Sequence, residues 1–126
     1  MNPDTSGQDL AITCALAAHD LRAEDIRVLD VRGSSTLTDF LVICSGNSMP
    51  HLKAVASEIE QKARETLQDA PLSSEGTPQS RWLILDYVNV MIHIMLTEMR
   101  EHYALEDLWG DAKEIKWQPA DFNPEA

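Results

Sequence analysis

The chain is poor in cysteine, aromatic residues, positive charge and long apolar runs, and each shortage excludes something. Two cysteines in 126 residues, Cys14 and Cys44, give no disulfide framework, and reduced thiols in a small domain fit the cytosol. No apolar run reaches the length of about 20 residues that a membrane-spanning helix needs. The first residues carry Asp4 and Asp9 and no early arginine, unlike a secretory signal or a mitochondrial presequence, so a cytoplasmic location is expected. Ten Lys and Arg stand against 21 Asp and Glu, a formal net charge of −11. Neutralising phosphates takes clustered cations, so direct, specific nucleic-acid binding is not expected. A basic protein is the better electrostatic match. The four histidines (His19, His51, His93 and His102) are scattered, and no H-x-x-x-H or C-x-x-C spacing occurs. No metal or cofactor is therefore expected.

What is present suits one domain: 44% of residues are hydrophobic, and they fall in periodic blocks. The chain is organised around residues 28–51. Val28, Leu29 and Val31 make a short apolar strand, residues 32–36 are turn chemistry, and residues 40–44 are apolar at every position. A strand apolar on both sides calls for helices over the sheet. The two runs read as an antiparallel pair joined at Gly33. Residues 9–20 read as a helix. A second, longer helix follows Ser48 as cap and Pro50 in the first turn. Its apolar face is Leu52, Val55, Ile59, Ala63 and Leu67, and it ends before Pro71. Residues 70–80 are a connection with room for a short strand. Residues 81–86 and 88–96 are two more strands, and Thr97 opens a last helix running to Trp109 and stopping at Gly110. Expected boundaries are a flexible segment 1–8, a domain 9–110 and a flexible acidic tail 111–126. The fold class is α/β, with a mixed sheet of four or five strands and helices packed on it.

Chemistry is thinner. Nucleotidyl transfer needs a Gly-Ser turn for phosphate and two carboxylates one residue apart on a strand, to hold divalent metal. Gly33, Ser34 and Asp39 imitate the first half, but Leu41 stands where the second carboxylate belongs. An Asp beside a polar turn more often caps it, so no catalytic residue is assigned. His93, in an apolar strand, reads as a hydrogen-bonded core or interface residue, and His51 as a residue able to orient the preceding Ser-Gly loop. Trp82 opens a strand after an exposed loop, where it either closes the core or anchors an interface. Tyr103, Leu105, Leu108 and Trp109 give the last helix a broad apolar arc.

The order L-D-V (29–31), Gly33, Ser34-Ser35, Thr38-Asp39, Cys44-Ser45-Gly46 and Ser48 to His51 resembles the core of the ribosomal silencing factor, or Iojap-like, family. The resemblance continues through Glu75-Gly76, Trp82, Asp86-Tyr87, Val90, His93 and the closing pattern from Glu98 through Arg100 to Trp109. It covers residues 10–109. One departure is Val88-Asn89, where the family usually has Gly-Asp. The resemblance implies an α/β domain of nucleotidyltransferase-like architecture without enzymatic activity. It implies binding to the large ribosomal subunit through a protein of the universal L-fourteen family on the intersubunit face. Joining of the small subunit is then blocked sterically, and translation falls under nutrient limitation. By similarity the contact falls on Trp82, Leu83, Ile84 and Asp86, with Tyr103 nearby, and the free protein is a homodimer. Two alternatives stay open: a metal-dependent nucleotidyltransferase, and a large-subunit assembly factor without silencing.

Overall fold

Seven consecutive residues, Phe40–Gly46, are buried, and they form the strand around which the sheet is built (β2). The computed structural model describes residues 6–33, 38–76, 81–103 and 112–118. In chain order the elements are α1 (Ser6–Asp20), β1 (Glu24–Asp30), β2, α2 (Met49–Leu67), β3 (Ser73–Glu75), β4 (Trp82–Asp86), β5 (Val90–Leu96), α3 (Thr97–Tyr103) and β6 (Lys113–Glu114). They make one six-stranded mixed sheet in the order β3-β4-β5-β2-β1-β6. β2 and β5 run parallel, and the other pairs are antiparallel.

Side chains alternate between two faces, as the strand period requires. One face carries Val28, Phe40, Val42, Cys44, Leu85, Val90, Ile92 and Ile94, packed under α1 and α2 through Leu10, Cys14, Leu52, Val55 and Ile59. The other carries Leu29, Leu41, Ile43 and Met95, with Met99 of α3 against them. Burial desolvates the central thiols, so Cys44 is pushed up to about 12 and Cys14 is pushed up as well. Both are inert apolar filling. Among the described residues no helix is long and apolar enough to cross a membrane.

The α/β class and the mixed sheet are as expected, but the strand count is six rather than four or five. β3 is the short strand for which residues 70–80 left room. β6 lies within the expected flexible tail: Leu29 pairs with Glu114 and Asp30 with Lys113. Ile115 donates its N–H to the Val28 carbonyl at 2.8 Å, and Trp117 Nε1 donates to the Ile26 carbonyl at 3.2 Å. Ile115 and Trp117 are buried, so residues 112–118 belong to the domain, whereas 111 and 119–126 lie outside the described residues. At the other end, residues 6–8 join α1, because the first turn docks Gly7 directly on the Phe40 ring. Residues 1–5, and the expected helix end at Trp109 and Gly110, lie outside the described residues.

Candidate functional site

The β4–β5 register decides which of the expected contact residues share a surface. Trp82 pairs with Met95, Ile84 with His93 and Asp86 with Met91. Trp82, Ile84 and Asp86 therefore project from the face opposite α1 and α2, and all three are half-buried. Leu83 alternates to the other face and packs against the core beneath the helices, so the strand does not bring it to this surface. Glu75 of β3 pairs with Ile84 and adds an exposed carboxylate at the edge. Tyr103 ends the described part of α3, and its side chain lies outside the described residues, as do Ser34, Ser35 and Trp109.

Trp82 is held, not loose. Its Nε1–H donates to His93 Nδ1 at 2.9 Å, and the rings sit 5.6 Å apart at 56°. Accepting that bond requires an unprotonated Nδ1, which places the proton of neutral His93 on Nε2. Burial pushes the His93 imidazole down from 6.5 to about 4, since a charged ring there loses its water. His93 is thus buried and hydrogen-bonded, and its partner is Trp82.

Asp86 works through the backbone. Its Oδ1 accepts the Val88 N–H at 2.8 Å, an Asx turn that opens the β4–β5 hairpin. Across the tip, Tyr87 N–H donates to the Val90 carbonyl and Asn89 N–H to the Tyr87 carbonyl at 2.9 Å. Val88, at the centre of that second bond, sits at φ +73°, the strained form of the γ-turn. The strand expected from residue 88 accordingly starts at Val90. Asp86 also fixes β3: its carbonyl accepts the Leu72 N–H at 2.6 Å. Gly76 closes that strand at φ +118°, where a Cβ would run into the Trp82 carbonyl oxygen. Glycine is obligatory beside the tryptophan for that reason.

The remaining motif residues build the joints of the sheet. Gly33 takes φ +85° in the β1–β2 turn, and Arg32 grips Asp30 through Nε at 2.9 Å and Nη2 at 2.7 Å. The guanidinium holds the Asp30 carboxyl below its ordinary range. Thr38 is buried and donates to the Phe40 carbonyl at 3.3 Å, while Asp39 is exposed and gives its N–H to Asn89. Ser45 Oγ donates to the Glu24 carbonyl at 3.1 Å, holding the bulged start of β1. After it, a Cβ on Gly46 would come within 2.9 Å of both Leu52 and His51. His51 Nδ1 accepts the Asn47 N–H at 3.0 Å, so Nε2 donates to the Leu21 carbonyl at 2.7 Å. His51 orients the loop that leads into α2, whose N-terminus Ser48 caps. Arg100 reaches from α3 to Asp25, with Nη1 2.7 Å from its carbonyl and Nη2 3.5 Å from its carboxylate. These roles are architectural. Among the described residues no three His, Cys, Asp or Glu side chains gather as metal ligands do.

Two apolar side chains at the surface had no part in the expected site. Leu72 is 72% exposed and Val88 54% exposed. Leu72 follows Pro71 in a loop and gives no sequence signal. Val88 gives one, because it stands where the resemblance leads one to look for glycine.

The family model described as "Ribosomal silencing factor during starvation" matches residues 3–126. The ribosomal silencing factor of Bacillus subtilis is 41% identical over 99 residues, 78% of this chain and 82% of that protein. The one from Halalkalibacterium halodurans is 36% identical, over 88% of this chain and 94% of that protein. A mouse protein named "Mitochondrial assembly of ribosomal large subunit protein 1" is 38% identical over 69% of this chain, which spans 39% of it. A crystal structure from Chromobacterium violaceum superposes with a TM-score of 0.78 at 26% identity, covering 96% of this chain and 99% of that one. These relatives are named as silencing or assembly proteins and not as enzymes. The chain belongs to the ribosomal silencing factor family.

Proposed function

We propose that the chain binds the large ribosomal subunit through a protein of the universal L-fourteen family on the intersubunit face. There it blocks small-subunit joining by occupying the space, and so represses translation when nutrients are limiting. The observation that carries this reading is the family match over residues 3–126. The face of Trp82, Ile84 and Asp86, with Glu75 at its edge, supports the location: an apolar centre with an acidic rim suits a basic protein. No bond-making step is involved; a folded domain in the way is sufficient. Free in the cytoplasm, the protein is a homodimer in this reading. The test is sedimentation of purified large and small subunits with wild type and with Trp82→Ala, after circular dichroism has shown the variant folded. Wild type should ride on the large subunit and prevent joining, and the variant should do neither. Joining in the presence of bound wild type would refute steric blocking. No binding at all would refute the ribosomal reading.

A second reading rests on the name of the mouse relative, which speaks of large-subunit assembly. It differs in timing: precursor particles should accumulate in a strain lacking the protein, even in rich medium. A profile that is normal in rich medium and abnormal only in starvation favours silencing.

A further inference from the structure

Leu72 and Val88 are the two large apolar side chains that stand out into solvent among the described residues. They are neighbours through one residue. Asp86 accepts the Leu72 N–H on its carbonyl at 2.6 Å and the Val88 N–H on its Oδ1 at 2.8 Å. Both backbones are therefore locked at the same end of β4. Neither position explains itself by stability. A β-branched residue at φ +73° is a genuine outlier, where glycine would sit without strain. An exposed leucine gains nothing from burial that does not occur. Strain and exposure at one rigid tip are the mark of a contact prepared in advance.

We propose that Leu72 and Val88 form a two-pronged apolar anchor that extends the docking surface from Trp82 to the far end of β4. This inference rests on the ribosomal reading above and deepens it. The surface runs the length of β4, roughly 13 Å at the strand rise. Asp86 stands between the prongs, and Glu75 of β3 lies across from Ile84 on the same strand pair. The occupant is a basic large-subunit protein that presents an apolar patch beside a Lys or Arg, which the acidic rim and a net charge of −11 favour over a second copy of this acidic chain. Asp86 is then a positioning residue: it aims both prongs. Val88 supplies the second prong, since glycine at the same place would supply no side chain.

The test uses full-length Leu72→Ser, Val88→Gly and Trp82→Ala, with affinity for purified large subunits and thermal unfolding measured on each. Leu72→Ser and Val88→Gly should each bind about 5- to 20-fold more weakly. Val88→Gly should at the same time unfold at a higher temperature than wild type, because the strained φ is relieved. Gain of stability with loss of affinity is a pair of changes that a purely structural role does not produce. If Trp82→Ala loses binding while both tip variants bind like wild type, the anchor is refuted and the ribosomal reading stands. If wild type itself does not bind, both fall. If the tip variants dissociate a homodimer and leave subunit binding unchanged, the anchor belongs to a second copy and the proposal is overturned.

Discussion

His93 and Trp82 depend on each other across the β4–β5 pair, and that dependence makes the surface sensitive to acid. The Trp82 indole needs the lone pair of His93 Nδ1, 2.9 Å away, and protonation removes it. Folding lowers the imidazole from 6.5 to about 4. The unfolded chain therefore takes the proton first as pH falls. The contribution is fully present above about 6.5 and is lost progressively as pH drops through about 4. Its size is at most roughly 3 kcal/mol, from 1.36 kcal/mol per unit. His93→Asn keeps an acceptor for the indole and cannot titrate. Denaturant unfolding measured from about pH 7 down to about pH 4.5 should show wild type losing more stability than the variant. Equal slopes would mean that other groups carry the acid sensitivity.

At the scale of elements, the sequence was most legible where local chemistry and burial agree. The all-apolar run at residues 40–44 became the fully buried β2, and Ser48 with Pro50 opened α2. Leu52, Val55, Ile59 and Ala63 buried the face that their spacing selects. The strand that opens at Trp82 was placed correctly, yet its two faces were not separated, so Leu83 was grouped with residues on the opposite side. Register set that, and register comes from pairing with β5 rather than from β4 itself. The C-terminal segment was misread because its prolines and carboxylates outweigh a short signal. Ile115 and Trp117 alternate with Glu114 and Lys116, the period of an edge strand. Its hold on the domain is strong: Glu114 accepts from Arg27 Nη2 at 2.9 Å, and the Trp117 ring lies 5.7 Å from that of His19. Trp117→Ala should therefore cost about 3 kcal/mol, as large-to-small changes of buried aromatics do. A tail residue would change stability by less than about 0.5 kcal/mol. Urea unfolding of the full chain distinguishes the two, and a small change would detach β6 from the stable domain.

At the scale of the whole molecule, a net charge of −11 works in two directions on a ribosome. On the proposed reading, a basic ribosomal protein would attract the chain, whereas the phosphates of the surrounding RNA would repel it. Both fields are Coulombic, and salt screens both within about 8 Å at physiological strength. The two fields can be separated by measuring association rates against ionic strength with two targets. With the isolated basic partner, raising salt from about 50 to about 300 mM should slow association by roughly tenfold, and dissociation should change little. With the intact large subunit, salt also screens the repulsion, so the fall should be shallower or reversed. Stopped-flow fluorescence of the native tryptophans, or of a surface label, gives both series. An equally steep fall for both targets would show that the RNA field does not reach the docking path. The acidic composition would then serve recognition of the protein alone, and not the avoidance of RNA.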